Sequence, residues 1–385
     1  MTGEAMAQAG RGSPLSRQLL TPPRIGGDGC PAMSLAILPR SRSAALGSDQ
    51  ALDKARLLAR APAPDNLAWQ DDHLLFSSGK EILVITDVRD GEARPERILR
   101  FDDGVSALAS ASDGGLAVGL GRSGIAIVGG AHDGKSLTML GGQPLICPTA
   151  LCFAGPDILY ACQGSARHAP EDWQRDLLER RRSGTVWRIE LASGAAECLG
   201  EGLGFPNGIL LIDGGRRAAI AESWRHRLLA IETARHAAPE ILLDDLPGYP
   251  GRLCPAGGSG AWLAVFAPRS RQVEVVLREH AFRRGMMRAI APGYWIAPGL
   301  QSVRRSGKPG GMAGWARRRS HGLVLRLDAD FTPVAALHGR ATGRRHGVTS
   351  CLEIEGELLV ACRGDDLLIA AELPAGRVLH APMVH

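Results

Sequence analysis

The chain has 385 residues, 45 basic and 40 acidic side chains, a formal net charge of +5, 49 Gly and 24 Pro. That length can bury a large core. Its charge does not suggest a nucleic-acid partner, because the Arg clusters at 180–182, 304–305 and 317–319 have no aromatic stacking platform beside them. No apolar run reaches the ~18 residues of a membrane span, and none of the eight Cys has metal-finger spacing.

Residues 1–55 are rich in Gly, Pro, Ser and Arg without periodicity, and predict a disordered or extended segment. The apolar stretch Ala32–Leu38 is too short for a signal-peptide core and is closed by Pro39; Met33 could serve as the start. Cys147, Cys152, Cys162, Cys254, Cys351 and Cys362 lie in or beside apolar runs, which reads as buried free thiols in a cytoplasmic protein. Residues 56–380 read as one domain. A pattern recurs six times there, beginning at Asn66, Ser106, Thr149, Asn207, Gly251 and Thr349. Each copy is a polar or small residue, an apolar run, a Gly- or Asp-containing turn and a second apolar run. A third run follows several copies, as in EILVITDV, GTVWRIEL and RLLAIETA. Six units at a spacing of roughly 40–45 residues predict an all-β, six-bladed β-propeller.

Two insertions interrupt the repeat, at about 163–183 and about 267–320, and the first contains a helix signal at Glu171–Arg182. Each falls between the second and third runs of its unit, so both are expected to cover one mouth of the central tunnel as lids. The residues that open the six repeats should ring that mouth. The ends of the second runs add Ser78, Gln163, Glu222, Phe266 and Arg363.

Asp65, Asn207 and Glu222 are hard oxygen donors that would suit Ca²⁺ or another divalent cation. They could instead be a strand cap, a turn residue and a paired carboxylate. Glu222, His226 and His346 are candidate acid–base groups, the histidines reading equally as turn residues. Thr149, Trp224, Arg225, His168 and Thr349 are candidate substrate contacts. Trp173, Trp295, Trp315, Met286 and Met287 could wall a pocket or merely pack the insertions down. Arg269, Arg271, Arg304 and Arg305 could attract an anion. No Gly-x-Ser-x-Gly elbow, phosphate loop, dinucleotide fingerprint or His-Glu-x-x-His occurs.

The stretch GLGFPNGILLIDGGRRAAIAESWRHRLLAIE resembles the strictosidine-synthase-like signature, as do LPGYPGRL with WLAVFAPR, and HGLVLRLD with GRRHGVTSCLEIEGELLVAC. The resemblance runs over about residues 60–372. It implies a six-bladed propeller related to the gluconolactonase and paraoxonase families. The catalytic Glu of the plant strictosidine synthases falls on Thr349, which argues against strictosidine synthesis. The metal ligands of the gluconolactonase-like relatives fall on Asp65, Thr149, Asn207 and Glu222, with Thr149 departing from Asn. The leading expectation is a hydrolase of a small ester or lactone that uses a central cation. The alternatives are an amine–aldehyde condensing or C–N lyase enzyme, and a non-catalytic small-molecule-binding propeller. A small-molecule substrate is expected, with no nucleic acid and no membrane; oligomeric state is not readable.

Overall fold

The computed structural model describes residues 50–89, 91–300, 322–340 and 344–374. Six four-stranded antiparallel sheets follow one another along the chain. Their inner strands are Pro64–Gln70, Val105–Ser110, Pro148–Ala154, Pro206–Ile212, Gly248–Pro255 and Val348–Ile354. Successive inner strands touch, and the sixth touches the first, so the sheets close into a six-bladed propeller. The residues that open the six repeats all lie within these strands.

Burial explains why this pattern shows in the sequence. Second strands such as Leu116–Leu120 and Arg217–Glu222 are buried along nearly their whole length. Covered on both faces, they appear as unbroken apolar runs rather than alternations. Outer strands such as Glu96–Arg100 (ERILR) are mostly exposed and carry no such signal.

Each blade buries its faces only against its neighbours. Leu210, Ala219 and Leu228 of blade four meet Leu253, Leu263 and Leu325 of blade five. Leu74 and Phe76 of blade one meet Leu359 and Leu368 of blade six. Each such aliphatic or aromatic side chain contributes about 1.5–3 kcal/mol on burial. The ring is sealed by Arg56–Arg60, which pairs antiparallel with Leu367–Glu372 as the outer edge of blade six. Just before it, the short helix Ala51–Lys54 (α1) buries Leu52 in the core between blades five and six. Of the N-terminal segment expected to be irregular, residues 1–49 lie outside the described residues. The seven described cysteines are all free.

In every blade the pairing of the first two strands slips near the start of the inner strand. The slips lie between Asp65 and Ala68, Val105 and Ala107, Pro148 and Ala150, Pro206 and Ile209, Pro250 and Leu253, and Val348 and Ser350. A bulge takes its extra residue out of the ladder and re-aims its side chain. Asn66, Ser106, Thr149, Asn207, Gly251 and Thr349 all lie inside these bulges, together with Arg252.

The first insertion carries helix α2 (Trp173–Glu179), which ends where Arg180 turns left-handed at φ 54°. The expected helix is therefore shorter than Glu171–Arg182. The second insertion carries α3 (Arg271–Arg278), capped by the Ser270 side chain accepting from the Val273 amide, and α4 (His280–Ala289). Leu178 of the first insertion packs with Val276, Met286, Trp295 and Ala297 of the second, so the insertions share one apolar cluster. No helix among the described residues is long and apolar enough to cross a membrane.

Candidate functional site at the tunnel mouth

The repeated bulges bring polar groups of several blades together, and the central one is an arginine. Arg252 of blade five donates from Nε to Asn66 Oδ1 of blade one at 2.6 Å. Its Nη2 donates to the Ser106 carbonyl of blade two at 2.7 Å. Blade two stands opposite blade five in a ring of six, so this side chain crosses the tunnel axis. Nη1 lies 3.6 Å from Asp65 Oδ1. Burial pushes the Arg252 pKa down and Asp65 pulls it back up; a guanidinium keeps its proton under such a shift.

Arg363 completes the group by donating from Nη1 to Asp65 Oδ2 at 2.9 Å. Its own amide donates to the Gly347 carbonyl at 3.0 Å. The same link recurs from Gly164 to Cys147 (2.9 Å) and from Ser223 to Phe205 (3.1 Å). In blades three, four and six this backbone bond ties the residue after the second strand to the start of the inner strand. Arg363 is thereby held beside the bulges, with 44% of its side chain exposed, while Asp65 is 4% exposed. Two further polar groups belong to the ring. Among the described residues the Thr349 hydroxyl is buried without a partner, and the Asn207 side chain is half-buried.

Glu222 belongs to a different group. It is fully buried, accepting from the Gly204 amide at 2.7 Å and from Arg227 Nε at 2.6 Å. Arg225 Nη1 lies 3.6 Å from the same carboxylate. Thr149 Oγ1 donates between the Cys162 and Pro206 carbonyls.

Beside the mouth, an aromatic seam fastens the insertions to blades four and five. Trp224 stacks on Phe205 with ring centres 4.5 Å apart and on Trp173 of α2 at 6.0 Å. Tyr249 meets His226 edge-on at 4.5 Å. Trp224 Nε1 donates to Asp176 Oδ1, and Ser165 Oγ to Oδ2, each at 2.7 Å. Burial raises the Asp176 pKa, with these two donors opposing it. His226 faces the Gly248 carbonyl through Nδ1 at 2.9 Å, so Nδ1 carries the proton. Its Nε2 lies 3.6 Å from Glu274 Oε1 on α3. His226, with Arg269 assisting, pulls the Glu274 pKa down to about 2.

This geometry corrects several expectations. Asp65 and Glu222 do not share a partner: separate sets of arginines hold them. Glu222, His226 and His346, the candidate acid–base groups, are all buried. Glu222 is locked in its ion pair, His226 sits in the seam, and His346 is fully buried while its amide donates to Asp365. His168 pairs with Glu179 of its own insertion at 3.0 Å, Trp224 is committed to the seam, and Arg225 leans on Glu222. Met286 and Trp295 pack the insertions together, and Arg269 is held by Asp245 and Glu274. Trp315, Arg304 and Arg305 lie outside the described residues.

Arg252 is the residue that sequence reasoning missed. Its only signal is a charge beside a ring position in an inner strand (GRLCP). In a chain with four Lys among 45 basic residues, one more Arg does not stand out.

The class defined by this ring is the six-bladed β-propeller. The structure is similar to a gluconolactonase from Xanthomonas campestris, with a TM-score of 0.53 and 14% identity over 82% of this chain and 87% of that one. It is also similar to a calcium-binding regucalcin from Agrobacterium tumefaciens, with a TM-score of 0.48 and 13% identity over 85% and 93%. In sequence, 113 residues are 24% identical to the adipocyte plasma membrane-associated protein of Danio rerio. That match spans 29% of this chain and 27% of that protein, about a quarter of its length. No family model matches the chain.

The donor set does not fit a divalent cation as it stands. The Asp65 carboxylate is already neutralised by Arg252 and Arg363, and Glu222 by Arg227. Thr149 points its hydroxyl at carbonyls. Among the described residues no three His, Cys, Asp or Glu side chains gather as a metal-holding group.

Proposed function

We propose that the protein is a lactonase-like hydrolase of a small ester or lactone, and that the tunnel mouth is its site. The observation that carries this reading is the Arg252 guanidinium, fixed on the axis by Asn66 and Ser106. Two of its five N–H groups are used in those bonds, which leaves donors for an oxyanion. A preorganised cation in a water-poor site stabilises the charge that develops on the carbonyl oxygen when water attacks the acyl carbon. Asp65, the carboxylate beside that guanidinium, takes the proton of the water as a base weakened by its two arginine partners and returns it to the leaving alkoxide. Collapse of the adduct then breaks the acyl–oxygen bond and releases a carboxylate and an alcohol.

Turnover of a panel of small lactones and aryl esters, with and without a chelator, tests this reading. Hydrolysis that survives chelation and falls about 100-fold or more in Arg252→Met supports it. Hydrolysis that is lost on chelation and restored by calcium transfers the electrophile to a metal. Full activity in Arg252→Met, with the fold intact by melting, removes the site. One observation favours a second reading, a binding propeller without catalysis: Glu222 and His226, two of the other candidate acid–base groups, are committed to structural bonds. That reading predicts ligand binding without product release. Amine condensation is less well supported, because Glu222, the carboxylate it requires, is fully buried against Arg227.

A further inference from the structure

The charges at the mouth do not balance. Two guanidinium groups, Arg252 and Arg363, face the single carboxylate of Asp65. A cation-binding mouth would show the reverse, carboxylates in excess of positive charge. The two arginines are not equivalent. Arg252 is 15% exposed and spends its bonds on Asn66 and Ser106, whereas Arg363 is 44% exposed and makes one side-chain hydrogen bond, to Asp65. A guanidinium has five N–H groups in a planar fork matched to a carboxylate, so Arg363 has an unused edge. The ring around it also holds further polar groups. Thr349, 7% exposed, has a buried hydroxyl without a partner, on the inner strand of the same blade as Arg363. Asn207 adds a half-buried amide two blades away. Between them Gly251 has no side chain: a Cβ there would stand 3.3 Å from the Thr349 carbonyl.

We propose that this mouth is an anion subsite, in which the free edge of Arg363 binds the carboxylate of a small organic acid and Arg252 supplies the fixed positive background. The inference deepens the hydrolase reading, on which it rests for the identity of the ligand as substrate or product: the ester or lactone turned over would carry a carboxylate of its own. The binding step does not require turnover. Asp65 acts here as the internal competitor, because its charge already offsets the two guanidinium groups that draw the ligand. Removing its charge should therefore strengthen binding, the opposite of what a metal-ligand role predicts.

The test is calorimetric titration of the full-length protein with succinate, in a buffer free of competing carboxylates. Wild type is expected to bind. Arg363→Gln should weaken binding about tenfold or more, the loss of one charge-assisted bidentate contact. Asp65→Asn should tighten it by up to about tenfold, since it releases both arginines. Arg97→Gln, on the exposed outer strand of blade one, is the control and should bind as wild type does. Melting curves establish that each variant is folded, and Arg363→Lys, which keeps the charge but not the fork, should fall between wild type and Arg363→Gln. Equal affinity in wild type and Arg363→Gln overturns the subsite. So does loss of binding in folded Asp65→Asn, or a wild type that does not bind succinate at all. Succinate binding in a protein that hydrolyses nothing leaves the subsite standing and removes the hydrolase reading.

Discussion

The tunnel axis and the aromatic seam lie in the same propeller, yet they balance charge differently. In the seam the charged groups are matched against neighbours: Asp176 takes both Trp224 and Ser165, and His226 is held between Gly248 and Glu274, while the buried Tyr249 hydroxyl has no partner among the described residues. At the axis the balance is open, with two arginines on one carboxylate and an unpartnered hydroxyl at Thr349. Buried charges are normally paired, so the region that leaves positive charge in excess is the one to examine for an anionic ligand. Two residues with the more suggestive chemistry, His226 and Glu222, are held by bonds to neighbouring side chains and backbone.

The largest effect that should sharpen this comparison lies beside the seam. Glu222→Ala leaves Arg227 and the Gly204 amide without their buried partner. Breaking one side of a buried ion pair costs about 3–5 kcal/mol, so denaturant melts should show a loss of this size. A loss below about 1 kcal/mol would mean that Glu222 is not held as described and would return it to the candidates for chemistry. Next in size is Asp176→Ala, which orphans Trp224 Nε1 and Ser165 Oγ. The expected cost is about 1–3 kcal/mol, with α2 loosening first as read by hydrogen exchange. Protection of α2 that does not change in this variant would show that aromatic stacking alone holds the first insertion.

The fold was legible in the sequence because its most informative strands are covered on both sides. Runs such as LAVGL in blade two have no polar face to blur them, and six copies make the ring. Outer strands such as ERILR and the closing strand Arg56–Arg60 carry charge toward solvent and look like loops. The positions of the ring were legible too, since Asn66, Asn207 and Thr349 open repeats and sit in bulges. Their roles were not. A resemblance maps residues strand by strand, but whether Asp65 meets an ion or a guanidinium depends on a side chain reaching across from blade five. Periodicity carries no information about that reach, and neither does the spacing between blades.

The smallest expected effect uses pH to separate two carboxylates of the seam. Glu274 has a folded pKa of about 2, below its ordinary value, because His226 and Arg269 favour the charged form. An unfolded chain takes up this proton at about pH 4.3. The stability that Glu274 adds is therefore fully present above that pH and is lost as pH falls toward 2. Glu274 is partly exposed, so solvent screening limits the effect to the order of 1 kcal/mol. Asp176 has the opposite sign. Burial raises its pKa, so its contribution is present at low pH and is lost as pH rises through the raised value. Glu274→Gln should flatten the acid limb of the stability curve between about pH 4.3 and 2, while Asp176→Asn should leave that limb at least as steep as in wild type. Stability measured by denaturant melts at several pH values reads both slopes. If the two variants flatten the limb alike, the two carboxylates share one environment and α3 is not fastened through His226.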